Sequence, residues 1–254
     1  MIFAAGLGTR LKPLTDTMPK ALVPVAGKPL LWHVLTKLKH AGFERVVINV
    51  HHFANQVEQY VRENYPLFGI DIRISNERQQ LLDTGGGLKN ARHLFDPGWP
   101  VLIHNVDILS NADLNQLYDA ALQPNTSTPH LGDNSVLLVS ERTTNRHLFF
   151  ADDMHLMGWK NDTTGEEKKP FPGLELTSFK PLAFSGIHVI SPSLLWKMGD
   201  GHSPWGDRFS IIDFYLWAAA ERNVIGQQQA TLKLLDVGKQ DTLHEAEQFI
   251  KQLY

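Results

Sequence analysis

Two cations and a run of small residues crowd the first part of this chain. Arg10 and Lys20 lie ten residues apart in AAGLGTRLKPLTDTMPKAL, residues 4–22, which also holds Gly6, Gly8, Thr9, Pro13 and Pro19. Small residues let backbone N–H groups approach phosphate oxygens closely. A guanidinium clamps a planar array of oxygens, and an ammonium supplies a point charge. The chemistry these residue types suggest is the handling of phosphate. It is not that of a dinucleotide fingerprint, because Leu11 stands where the third glycine should be and Pro13 and Pro19 interrupt any helix. Nor is it a Walker loop, since no Gly-Lys-Ser/Thr follows. An ordinary glycine loop with solvated cations accounts for Gly-x-Gly alone, but not for the whole string.

The elements that must position this loop follow from the hydrophobic pattern. Residues 1–5 read as a short buried strand, and residues 29–41 as a helix with Leu30, Leu31, Val34, Leu35 and Leu38 on one face, stopped by Gly42. ERVVINV (44–50), IDIRIS (70–75) and WPVLIHNVD (99–107) read as strands, and residues 55–64 and 87–95 as helices. This rhythm predicts an α/β fold: a mostly parallel, twisted sheet with helices on both faces and ligands at the carboxyl edge of the strands. The second half is less regular. Residues 135–142, 182–190 and 231–238 read as strands, 147–161 as a hairpin turning at Asp152–Asp153, 161–173 as an exposed loop, 209–222 as a helix, and the last stretch as an amphipathic helix.

Composition narrows the classes. A formal net charge of -3 gives no sign of a nucleic-acid or membrane partner. No cysteine is present, which excludes disulfides, thiol catalysis and Cys-ligated zinc and fits a reducing cytoplasm. No apolar run approaches the roughly 18 residues of a membrane helix, and no signal peptide is evident. The expectation is a cytoplasmic protein. His51 and His52 fall on opposite faces if they lie in a strand, so they do not form a chelating pair.

The string AAGLGTRLKPLTDTMPKALVPVAGKPLL resembles, nearly position for position, the signature of the sugar-1-phosphate nucleotidyltransferases. DTGGGLKNA (83–91), NVDIL (105–109), FSGIHVISP (184–192) and LLDVGKQDTLHEAE (234–247) fall in the order of that family's other motifs. Within the family, TGGG, FSGI and DVG look most like the short uridylyltransferases acting on N-acetylmuramic acid 1-phosphate. The resemblance implies a Rossmann-like nucleotidyltransferase fold with a small β-rich sugar-binding part. It implies one domain over residues 1–254, with 1–133 mainly nucleotide-binding and 134–254 mainly sugar-binding.

The family's reaction joins an NTP and a sugar 1-phosphate. A sugar phosphate oxygen attacks the α-phosphorus in line and pyrophosphate leaves, so catalysis is positioning and charge neutralisation. By resemblance, Arg10 would bind the leaving pyrophosphate and Lys20 would bridge the α-phosphate and the incoming phosphate. Ala4, Ala5 and Gly6 would present backbone groups to the nucleotide, and Gly8 and Thr9 would line its β- and γ-phosphates. Asp83, Gly85 and Gly86 would shape the base and ribose site ahead of a helix, while Asn105 and Gly186 would serve the sugar. Asp107 and Asp236, each read as ending a strand, would hold Mg²⁺, completed by substrate phosphates and water. Alone, a strand-end Asp is more often a cap or turn former. Trp159, Trp205 and Phe209 receive no role, because core aromatics are commoner than sugar platforms.

Other readings remain open at this level: a mannose-1-phosphate guanylyltransferase, a glucose-1-phosphate thymidylyl- or uridylyltransferase, or an inactive regulatory homologue. An inactive homologue typically loses the cation or carboxylate positions, and Arg10, Lys20, Asp107 and Asp236 are all present. Phe3 replaces the usual aliphatic residue, the first strand is short, and Leu235 stands where the family carries an aromatic. No hexapeptide repeat of a β-helix extension occurs. A monomer or small homo-oligomer is expected.

Overall fold

A computed structural model of the chain describes residues 1–123, 134–199, 201, 204–221 and 224–253. In chain order its elements are β1 (Ile2–Phe3), β2 (Pro24–Val25), β3 (Lys28–Pro29), α1 (Leu30–His40), β4 (Arg45–Val50), α2 (Ala54–Phe68), β5 (Asp71–Asn76), α3 (Asp83–Ala91), β6 (Val101–Asn105), β7 (Ile108–Ser110), α4 (Leu114–Leu122), β8 (Ser135–Ser140), β9 (Arg146–Phe150), β10 (Leu156–Asn161), β11 (Glu167–Lys168), β12 (Lys180–Ile190), α5 (Pro192–Lys197), α6 (Ile211–Ala219), β13 (Val224–Gln228), β14 (Leu234–Asp236) and α7 (Gln240–Leu253). They cluster into two units, each assembled from separated stretches: one of residues 1–82, 104–114 and 233–254, the other of 83–103 and 115–232. Among the described residues no helix is long and apolar enough to cross a membrane.

The first unit carries the parallel sheet expected from the alternating pattern. β4 pairs β5 in register from Arg45–Asp71 to Val50–Asn76, and β1 pairs β4 through Ile2–Ile48 and Phe3–Asn49, all parallel. On its other side β1 pairs β6 in parallel, Ile2 opposite His104 and Phe3 opposite Asn105. The chain thus proceeds from β1 toward β4 and β5 and later returns to the opposite flank of β1. The β1–β6 pair is therefore the point at which the strand order reverses, and ligands of open α/β sheets bind beyond the carboxyl ends at such points. α1 buries Leu30, Leu31, Val34, Leu35 and Leu38 as its spacing requires. α2 ends at Gly69, whose φ of 62° and N–H bond to the Tyr65 carbonyl (3.3 Å) form a left-handed cap.

Several boundaries differ from expectation. The first strand stops at Phe3 because the next N–H, that of Ala4, turns to the Asn49 side chain (2.7 Å). The strand expected over 99–107 ends at Asn105; Val106 and Asp107 form a tight turn into β7, so Asp107 follows the strand and does not lie in it. The glycine-rich loop is not shapeless. It winds three 3₁₀ turns, Thr9–Leu11, Leu14–Asp16 and Lys20–Leu22, which Pro13 and Pro19 separate. Leu11, Ala21 and Val23 pin it to the core.

The second unit is the irregular one. β12 pairs β8 and β9 antiparallel, β9 pairs β10, and β13 joins β8 in parallel. The expected 147–161 hairpin is β9–β10. The expected loop over 161–173 is in part a strand, since β11 pairs β10 through Trp159–Lys168 and Lys160–Glu167. The expected helix end at Arg222 lies outside the described residues.

The three consecutive glycines, expected ahead of a helix, are inside it. α3 begins at Asp83, and Gly85, Gly86 and Gly87 are buried helical residues. Helical glycine costs about 0.5–1 kcal/mol relative to Ala, so a packing reason is needed. It is found at Gly85, where an added Cβ would lie 2.4 Å from Phe209 Cδ2 and 3.0 Å from the Phe209 carbonyl oxygen. The N–H groups of Gly85 and Gly86 both donate to that oxygen, at 2.9 and 3.2 Å. Phe209 in turn stacks on Trp205 (centroids 5.3 Å), which meets Phe214 and Trp217 edge-on. Trp205 and Phe209 thus belong to an aromatic cluster around the start of α6.

Gly85→Ala should therefore destabilise the protein by about 1–3 kcal/mol of overpacking, although Ala is the better helix former. At about 2–4 °C per kcal/mol for a chain of this size, calorimetry should show Tm several degrees lower. A raised or unchanged Tm would refute the Phe209 contact.

Candidate active site

The glycine-rich loop grows out of β1. Gly8, half-buried with φ of 64°, caps the first 3₁₀ turn in the left-handed region, where L side chains are strained. Its carbonyl accepts from the Leu11 N–H and the Thr15 hydroxyl, both at 2.8 Å. A Cβ at Gly8 would lie 2.8 Å from Thr15 Cγ2 and 3.1 Å from Lys20 Cβ. Gly8 is thus a folding requirement of the loop. Gly6 is different: it is exposed, and a Cβ there would meet nothing within 4 Å. Ala4 and Ala5 are buried at the loop's root and Thr9 is exposed. The N–H of Ala4 is committed to Asn49, so that N–H is not among the backbone groups Ala4 offers a nucleotide in this arrangement.

The loop then folds back to the switch point. Lys20, only 9% exposed, forms an ion pair through Nζ with Asp107 Oδ2. The pair forms because β1 and β6 run side by side: the Val106 N–H donates to the Phe3 carbonyl (3.1 Å), which carries the Asp107 turn past the end of β1. Asp236 reaches the same place through β14, which runs antiparallel to β7 with Asp236 opposite Ile108. The Val237 N–H donates to the Asp107 carbonyl at 2.8 Å. Two carboxylates 129 positions apart thereby leave adjoining stretches of backbone.

Arg10 joins them at Gly238. A Cβ on that glycine would sit 2.6 Å from Asp236 Oδ1 and 2.7 Å from Arg10 Nη2, so both groups flank one point that only a glycine leaves open. α7 holds the loop from outside, through a hydrogen bond from Gln240 Nε2 to the Lys12 carbonyl. All four charged residues singled out in the sequence, Arg10, Lys20, Asp107 and Asp236, thus meet in the first unit. Asn105 stands half-buried at the end of β6 beside Phe3. His104 has no part in this chemistry: it is fully buried, donates from Nδ1 to the Asn105 carbonyl (2.8 Å), and burial pushes its pKa down to about 4, leaving it neutral.

Of the residues assigned to base and sugar, Asp83, Gly85, Gly86 and Gly186 lie in the second unit, whereas Asn105 lies in the first. Asp83 holds φ of 63° and accepts from the Thr84 N–H at 2.6 Å, while the Thr84 hydroxyl accepts from the Ile211 N–H at 2.9 Å. The N–H groups of Gly85 and Gly86 are committed to Phe209, so neither donates to a base in this arrangement. Gly186 is buried with φ of 78° at a register irregularity of β12 between Phe184 and His188. Its need for glycine is in the backbone first. Sequence reasoning missed Asn49 and Glu77, whose signal was a polar residue inside RVVINV and an acid directly after a strand.

Comparison with known proteins agrees with this geometry. The Nucleotidyl transferase family profile matches residues 1–131. The N-acetylmuramate alpha-1-phosphate uridylyltransferase of Neisseria meningitidis is 43% identical over 248 residues, covering 97% of this chain and 96% of the relative. The protein of that name from Caulobacter vibrioides is 35% identical over 231 residues, covering 89% and 86%. In fold, apo UDP-glucose pyrophosphorylase superposes with a TM-score of 0.74 at 16% identity, over 99% of this chain and 97% of that one. A sheet reversing beside a cation-bearing glycine loop, with two aspartates converging on it, is the setting in which these likenesses fall: the chain belongs to the nucleotidyl transferase family, among its sugar-1-phosphate nucleotidyltransferases.

Proposed function

We propose that the protein transfers uridylyl from UTP to N-acetylmuramic acid 1-phosphate, releasing pyrophosphate, in the cytoplasm. The observation that carries the reaction class is the meeting of Arg10, Lys20, Asp107 and Asp236 beyond β1. The substrate pair is supported by the two relatives of that name, which align over most of the chain.

The residues supply positioning and charge. Arg10, exposed beside Gly238, binds the pyrophosphate oxygens through its fork of donors. Lys20 is held by Asp107 before substrate arrives, so its ammonium is aimed in advance. Pre-aimed charge need not reorganise as the α-phosphorus is attacked. The exposed flank of Gly6 gives the triphosphate room to lie along the loop. Gly8 and Thr9 shape the turn behind it, and Asn105 faces the acceptor.

The donor set fits Mg²⁺. Asp107 and Asp236 offer hard carboxylate oxygens from adjoining backbone, and no group of three or more His, Asp or Glu among the described residues could hold an ion alone. Two carboxylates completed by substrate phosphates and water are a common Mg²⁺ set. Bound there, the ion would neutralise phosphate charge and orient the oxygens in line.

A matrix of UTP, GTP and dTTP against N-acetylmuramic acid, mannose and glucose 1-phosphates, scored by pyrophosphate release with Mg²⁺, tests the proposal. The uridylyl–muramyl pair should be fastest. Faster turnover of GTP with mannose 1-phosphate would move the protein to the rival class, and full turnover in excess EDTA would sink the metal assignment. Asp107→Asn and Asp236→Asn should each lower kcat by about a hundredfold or more with the fold intact by circular dichroism.

Gly6→Val isolates the loop's ligand role, because the side chain fits the free protein. Tm should stay within about 2 °C of wild type, less than about 1 kcal/mol, while the KM for NTP rises about tenfold or more. Gly8→Ala should do the reverse and cost about 1–2 kcal/mol of stability from its left-handed backbone. An unaltered KM in Gly6→Val places the triphosphate elsewhere. Gly186→Val is a poor probe of the sugar pocket, since its φ of 78° strains valine with or without sugar.

A further inference from the structure

One buried carboxylate belongs to none of the phosphate chemistry. Glu77 follows β5 and is 3% exposed. Its Oε1 accepts from Asn49 Nδ2 at 2.7 Å, and its Oε2 accepts from the Leu82 N–H at 3.3 Å. Its backbone is fixed as well: the N–H donates to the Val50 carbonyl at 2.8 Å, and the carbonyl accepts from His51 Nδ1 at 2.7 Å. Asn49, equally buried in β4, turns its Oδ1 to the Ala4 N–H at 2.7 Å. These bonds form a relay from the β5 exit to the first residue of the phosphate loop.

We propose that Glu77 and Asn49 are positioning residues for the nucleotide, fixing the root of the 4–6 segment and thereby setting NTP affinity. The argument is one of polarity. An amide can satisfy both neighbours in only one orientation, with its nitrogen toward an acceptor and its oxygen toward a donor. The carboxylate of Glu77 dictates that orientation, so Asn49 can only accept from Ala4. A charge buried merely to fill space would be better replaced by an apolar side chain. Here it is met by at least two donors, and its effect is delivered to the backbone that precedes Gly6. Displacement at the base of a ligand loop is passed on to the ligand, where about 1 Å can cost a hundredfold. The inference rests on the reading of residues 4–22 as the triphosphate loop.

The relay can be run backwards, which gives a test that packing alone does not pass. In Glu77→Gln, one of the bonds to Asn49 and Leu82 loses its acceptor. In Asn49→Asp, two carboxylates oppose each other. In the double variant N49D/E77Q the three bonds linking Leu82, residue 77, residue 49 and Ala4 are restored. The amide now at position 77 donates to the carboxylate now at position 49 and accepts from the Leu82 N–H, while that carboxylate accepts from the Ala4 N–H. Net charge is that of the wild type. Each single variant should raise the KM for UTP about tenfold or more, with the KM for the sugar phosphate within about twofold, and the double variant should return UTP to within about threefold of wild type.

Amide hydrogen exchange at Ala4 reads the relay without substrate: faster in each single variant, slow again in the double. A double variant no better than the worse single, or singles with lowered Tm but unaltered KM for UTP, overturns the proposal. If the singles fail to fold, the double variant's folding, Ala4 exchange and KM decide. Restored exchange in a protein that turns over no NTP keeps the relay as a structural device and overturns both the functional reading and the role given to the relay in NTP affinity.

Discussion

The parallel pairing of β1 on both flanks is the constraint from which the site follows. A strand two residues long would be a weak element by itself, yet Ile2 is held between Ile48 and His104, and Phe3 between Asn49 and Asn105. Because the three strands run in one direction, the segments leaving β1 and β6 emerge at the same edge. A glycine-rich loop and an aspartate turn, about a hundred residues apart in sequence, are thereby made neighbours. β14 adds the second aspartate by pairing with β7, which the same turn initiates.

Charge at this edge is arranged to be unfavourable when incomplete. Lys20 and Asp107 are both largely removed from water, so deleting either leaves the other poorly compensated. Such a pair is weak evidence of stability; in the function proposed above it holds an ammonium in place for an anionic ligand. The relay of Glu77 and Asn49 follows the same logic. A buried carboxylate fixes a backbone amide, and strand β1 ends where that amide leaves the ladder.

Glycines serve three different purposes, which a sequence motif does not separate. Gly6 leaves open space, Gly8 and Gly186 adopt left-handed backbone, and Gly85 and Gly238 yield room to side chains, a phenylalanine ring in one case and the Arg10 and Asp236 groups in the other. Among Gly6, Gly8, Gly85 and Gly238, only at Gly6 would an added Cβ meet nothing within 4 Å. The close approach expected of the three-glycine run is real, but the group approaching Gly85 is Phe209 of the same protein.

The sequence by itself determined the α/β pattern, the parallel run of strands and the cation-bearing, glycine-rich character of the first loop, because hydrophobic period and residue type are local properties. It also singled out the four charged residues that converge, Arg10 and Lys20 by type and spacing, Asp107 and Asp236 through the resemblance to a family's motifs. Tertiary structure alone decided the rest. The place of Asp107 in a turn, the start of α3 at Asp83, and the β11 pairing of Lys168 depend on partners far along the chain. Asn49 and Glu77 look ordinary in a string of letters; their role exists only because β4, β5 and the root of the loop lie side by side, where a buried amide must find both a donor and an acceptor.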